Sequence, residues 1–142
     1  MFVVILGFHL IINYKGETMS EDKNKISEAI QLYFDSMYES SEEKVRQVFH
    51  KDAKITGYMQ GSLMEQSVDS FAKFVASQTP SAAEKNEEKL LETLSLEVVG
   101  STAVARVRDG YLGMVFQDTL SFLKIGDDWV IYNKLFHIES GG

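Results

Sequence analysis

Residues 111–125 read YLGMVFQDTLSFLKI, and their parity decides the fold class. The even positions Leu112, Met114, Phe116, Leu120 and Phe122 are apolar, while the odd positions Gln117, Thr119 and Ser121 are polar. Period-two alternation over this length predicts a half-buried β-strand with one face on a core. Asp118 falls in the apolar register. An unpaired carboxylate there would be costly, so the group is expected either to become neutral or to find a donor. A neutral carboxylic acid can donate to a ligand oxygen. The alternative is a bulge that flips the parity, or a structural bond to a neighbouring NH or to Lys134.

Working outward, residues 90–99, 102–109 and 129–138 read as further strands, separated by Gly100-Ser101, Gly110 and Gly126-Asp127-Asp128. Such short connections imply antiparallel hairpins. Upstream, Ile26, Ala29, Ile30, Tyr33, Phe34, Met37 and Tyr38 form the stripe of an amphipathic helix over 20–39. Ser40 with Glu43 predicts a capping box opening a second helix that turns Val45, Val48 and Phe49 inward. His50 is expected to cap the end of that helix. Residues 53–60 alternate as a strand, and Ser67 caps a third helix bearing Val68, Phe71, Phe74 and Val75. The stretch 78–88, with the single proline Pro80, reads as a solvated, poorly ordered crossing. Helices followed by a meander make an α+β domain whose sheet curls around the helices.

Residues 1–18 are expected to be a non-native or disordered extension before one domain over 19–142. Met1 to Ile12 is too short and badly flanked for a membrane span or a secretory signal. Lys15-Gly16-Glu17 ahead of Met19 can be encoded by a purine-rich ribosome-binding sequence, which makes Met19 a candidate initiator; the alternative is a membrane-surface or partner-docking tail. An intact mass measured on natively expressed protein tests this reading.

The chain has 142 residues, 14 Lys+Arg against 21 Asp+Glu, and a formal charge of −7. That balance argues against nucleic-acid partners. Cysteine is absent, which removes thiol chemistry and a disulfide framework and is consistent with a reducing compartment, so a cytoplasmic location is expected. His9, His50 and His137 show no metal-ligand spacing, and no dinucleotide, nucleoside-triphosphate or serine-hydrolase motif occurs. No metal or cofactor is therefore expected. Aromatics at 11% and six methionines suit a roomy, adaptable interior.

Ile30-Gln31-Leu32-Tyr33, Val48 to Ile55, Thr102 to Ala105, Asp118 to Phe122 and Trp129 to Ile131 together resemble the nuclear transport factor 2-like superfamily. Within it the chain is most similar to the small bacterial proteins of the "Putative lumazine-binding" family. The resemblance implies a cone-like, curved antiparallel sheet wrapped around three N-terminal helices. It also implies an apolar cavity between sheet and helices, and a homodimer through the outer face of the sheet. Ketosteroid isomerase is a catalytic member of this superfamily. Its oxyanion tyrosine falls on Tyr33 and its protonated aspartate on Asp118, whereas its general base falls on Gly57, which cannot take a proton. Asp69, Glu65 or His50 would have to reach the site instead.

The expected function is binding of a small, flat or apolar organic molecule by Tyr33, Met37, Gly57, Phe74, Phe116, Asp118 and Trp129. The rivals are a lyase or isomerase acting through Tyr33 and Asp118, and a non-enzymatic dimeric interaction module.

Overall fold

Two adjacent serines divide the work of separating the first two helices. In the computed structural model, which describes residues 2–141 and side chains from Thr18 onward, Ser40 takes a left-handed φ of 52° that ends α1 (Phe2–Tyr38). Ser41, not Ser40, then caps α2 (Glu42–Val48), its side chain accepting from the Lys44 N–H. α1 begins at Phe2 and not at the expected Ser20. The intervening Lys15-Gly16-Glu17-Thr18 contains no proline, and one glycine costs a helix only about 1 kcal/mol.

From α2 the chain passes directly into β1 (Phe49–Met59), turns, and returns as β2 (Ser62–Ser67). Ser67 caps α3 (Val68–Ala76) as its sequence position predicts, accepting from the Ser70 N–H. The meander follows as β3 (Leu91–Val99), β4 (Thr102–Tyr111), β5 (Met114–Ile125) and β6 (Asp128–Ser140). The order across the curved, unclosed sheet is β2-β1-β6-β5-β4-β3.

The sheet is mixed, which corrects the all-antiparallel expectation: β1 runs parallel to β6. The segment after α3 carries the chain to the far edge, so the meander works back and its last strand arrives beside β1 pointing the same way. That segment is also better tethered than a solvated loop. The Ser40 hydroxyl donates to the Gln78 carbonyl at 2.6 Å, the Tyr38 hydroxyl to Glu87 at 2.7 Å, and the Ala83 N–H to the Tyr38 carbonyl.

The β4–β5 turn lies at Leu112-Gly113, both with positive φ (54° and 74°), and not at Gly110. This is the two-residue geometry whose twist matches antiparallel strands. Gly110 instead lies inside β4, so Asp109 and Tyr111 join the inward register of Ala103, Ala105 and Val107.

The core lies between the concave sheet face and the helices. Ile26, Ile30, Tyr33 and Met37 of α1, together with Phe71 and Val75 of α3, pack in one cluster with Ile55, Val107, Leu120, Phe122 and Ile131. Gly57 is set by packing alone: a Cβ there would collide with the carbonyl oxygen and ring of Phe136.

Candidate functional site

Three neighbouring strands bring three ionisable side chains to one buried spot. Asp118 pairs with Val107 of β4 and Phe136 of β6. Asp109 and Lys134 therefore lie two residues off on either side, each diagonal to Asp118 on the same face. Asp118 is 0% exposed, Asp109 1% and Lys134 5%. The alternation around Asp118 is preserved, with Phe116, Leu120 and Phe122 buried beside it.

Tyr33 meets this trio from α1. Its hydroxyl donates to Asp118 Oδ2 at 2.6 Å, and its ring lies edge-on to Phe49 at 6.0 Å. Burial, then the nearby charges of Asp109 and Asp118, push the phenol well above its ordinary range. Asp109 faces Asp118 carboxyl to carboxyl. Burial, the hydrogen bond to Asp118 and its charge raise Asp109 to about 10, against an opposing pull from Lys134. As ionised groups, Asp109 Oδ1 and Asp118 Oδ1 would both lack partners. A proton kept by Asp109 gives its carboxyl a donor towards Asp118.

Lys134 acts on Asp109 without touching it. No ion pair or hydrogen bond joins its ammonium to another side chain among the described residues; instead Nζ sits 4.9 Å from the Tyr33 ring centroid and 4.8 Å from that of Phe71. Lys134 lines a cleft of about 110 Å3 between α3, the β1–β2 edge and the β4–β5 turn. Ile55, Met59, Met64, Phe74, Phe116 and Phe136 make its walls apolar, and Tyr111 lines it too. The Tyr111 hydroxyl is buried with no partner, and burial raises its phenol above the usual range.

Of the expected ligand contacts, Phe74 and Phe116 line this cleft. Tyr33 and Asp118 do not: they are bonded directly to each other, with no void between them, one layer behind Lys134. Met37 borders a second, more polar hollow of about 440 Å3 under residues 78–87, which shares Tyr111 and Leu112 with the cleft. Trp129 lies at the opposite end of the sheet, where its indole N–H and Lys124 both bond Asp22 of α1 at 3.1 and 3.0 Å. Gly57 lies against Phe136, as described.

The candidate bases are elsewhere. Glu65 pairs with Lys54 at 2.7 Å, and Asp69 with Arg46 and Lys73 at 2.8 and 3.0 Å, all on the surface. His50 does not cap α2; it is the second residue of β1, accepts from the Asp52 N–H at 3.1 Å and packs on Tyr132. His137 is exposed on the outward face of β6, and the His9 side chain lies outside the described residues. With Tyr33 committed to Asp118, the arrangement holds a proton and presents a cation, and among the described residues it brings no free base to an open surface.

The sequence model of the family described as "Putative lumazine-binding" matches residues 21–137. The chain belongs to this family. No curated protein sequence matches it. The family's fold recurs in solved structures. An NTF2-like protein of unknown function from Silicibacter pomeroyi superposes with a TM-score of 0.77 at 22% identity, covering 85% of this chain and 98% of its own. One from Shewanella baltica gives 0.76 at 20% identity, covering 86% and 97%. A third, from Methylobacillus flagellatus, gives 0.74 at 26% identity, covering 84% and 93%. Among the described residues no helix of this family member is long and apolar enough to cross a membrane.

Proposed function

We propose that this chain binds a small, flat, apolar organic molecule in the cleft between α3 and the open side of the sheet. The observation that carries this reading is an apolar recess lined by Lys134, a 5% exposed residue with no side-chain partner among the described residues, supported by the lumazine-binding description of the family. At about 110 Å3 the cleft is smaller than the roughly 150 Å3 cavity that takes up benzene, so it seats at most one aromatic ring. Larger ligands would have to protrude past Phe74, which is 38% exposed. The test is a thermal-shift and native mass-spectrometry panel of single-ring aromatics, lumazine, flavin mononucleotide and a steroid. Single-ring compounds or lumazine should raise the midpoint by several degrees at concentrations about 100-fold above Kd. Stabilisation by the steroid alone, or by nothing in the panel, would overturn the reading.

The outer sheet face supports the homodimer. Val104 of β4 and Leu135 of β6 point away from the core and are 42% and 51% exposed. Sedimentation at micromolar concentrations should show a dimer that Leu135→Arg converts to monomer; a monomeric wild type would refute it.

A further inference from the structure

We infer that Leu112 is a specificity-determining residue: it walls the apolar cleft off from the larger polar hollow beside it and so restricts an apolar ligand to a single ring. This rests on the ligand-binding reading above and adds to it the residue that sets the size of the ligand.

The turn itself does not call for leucine. Residues 112 and 113 are the central positions of the β4–β5 turn, with φ of 54° and 74°. Asn-Gly and Gly-Gly are the favoured pairs for that geometry, because a β-carbon strains a left-handed backbone. Solvent does not call for leucine either, since Leu112 is 41% exposed. Its place between two hollows does account for it. Of the residues lining the cleft, only Leu112 and Phe74 are exposed large apolar side chains, so these two form its lips. Leu112 and Tyr111 also line the hollow of about 440 Å3 under residues 78–87, whereas Phe74 does not. Tyr111 belongs to the inward register of β4 and its hydroxyl is buried, which leaves Leu112 as the outer part of the shared wall. A strained backbone position kept beside a site is explained by what its side chain does there.

The two spaces differ in character as well as size. The cleft is apolar and encloses about 110 Å3, whereas the hollow is bordered by Ser40, Gln78, Thr79, Lys85 and Glu87. With Leu112 in place, one ring fills the cleft and a second fused ring meets the wall. With that side chain removed, the second ring can extend towards Gln78 and Thr79.

Toluene has one ring and naphthalene two, and NMR titration of the isotope-labelled chain tests the difference. The wild type should bind toluene at least tenfold tighter than naphthalene, since overfilling a packed site is costly. Bound toluene should leave the Gln78 and Thr79 amides unmoved. Leu112→Gly accepts the left-handed turn and removes the wall. It should tighten naphthalene fivefold or more, bring the two ligands to within threefold of each other, and let bound naphthalene shift the Gln78 and Thr79 amides. Leu112→Asn suits the turn and keeps a side chain of similar length, so it should preserve the tenfold preference while weakening both ligands. Should Leu112→Gly fail to fold, the wild-type preference and its amide shifts decide the matter. A wild type that binds both ligands alike, or a Leu112→Gly variant that keeps the wild-type preference, would overturn the inference and leave the pocket standing. Binding of neither ligand by the wild type would overturn the pocket reading and this inference together.

Discussion

Asp118→Leu should lower the thermal midpoint by roughly 10–15 °C, corresponding to about 3–5 kcal/mol for a domain of this size. Leucine suits the apolar register of β5 but is bulkier than aspartate in a fully buried site, so crowding adds to the loss. The rest comes from what remains. The Tyr33 hydroxyl, fully buried and bonded to Asp118 at 2.6 Å, would keep its donor and lose its acceptor. Asp109 would lose its hydrogen-bond partner in a desolvated site. Against a total stability of 5–15 kcal/mol for an ordinary domain, such a loss is severe. Adding Tyr33→Phe to Asp118→Leu should recover part of it, because the stranded hydroxyl goes too; urea melts of the two single variants and the double variant give the coupling directly. Strict additivity of the two substitutions would mean that the bond contributes nothing.

Asp109→Asn should do the opposite, and increasingly so as pH rises. In the folded chain Asp109 is raised from 3.8 to about 10, so between these values the native state holds a proton that the unfolded chain has released. Stability contributed by that proton is fully present below the unfolded value and is lost as pH climbs towards the folded one. The slope is at most about 1.4 kcal/mol per pH unit. Asparagine reproduces the protonated acid: its amide donates to Asp118 and never ionises. The variant should therefore match the wild type near pH 4 and exceed it by a margin that widens with pH, to at most about 6 kcal/mol at pH 8. Denaturant melts from pH 4 to pH 9 provide the check. Parallel stability curves for the two proteins would show that Asp109 is ionised in the native state.

How far the site was legible can be traced strand by strand. Asp118 could be found because 116–122 alternates without interruption, and Tyr33 because α1 keeps its stripe. Asp109 was missed for a local reason. Gly110 is the better turn former by composition, whereas the turn uses Leu112, a residue that rarely takes φ 54°. With β4 ended too early, the inward series 103, 105, 107 was not followed to 109 and 111, though the parity was there to read. Lys134 enters the sequence reading only as an alternative partner of Asp118, because a bulge hides which way it points. Trp129 and Ile131 point inward on odd positions, which by alternation would send Lys134 to solvent; an extra residue at Tyr132 shifts the register, so that Lys134 points inward. Parallel pairing of β1 with β6 had no local signature, since it follows from how the crossing after α3 returns the meander. The apolar cleft drew on β2, which reads in sequence as only a brief extended piece.

The diagonal placement of Asp109, Asp118 and Lys134 on three adjacent strands also bears on how the chain finds its pairing. Side chains alternate with period two, so a one-residue slip of β5 would swing Asp118 to solvent and turn Gln117 or Thr119 inward. An apolar strand tolerates such slippage more readily than this one does, because here the neighbours would be left as a lone acid and a lone base in the interior. The polar trio thus works as a registration peg: it penalises every misaligned sheet far more than it strengthens the aligned one.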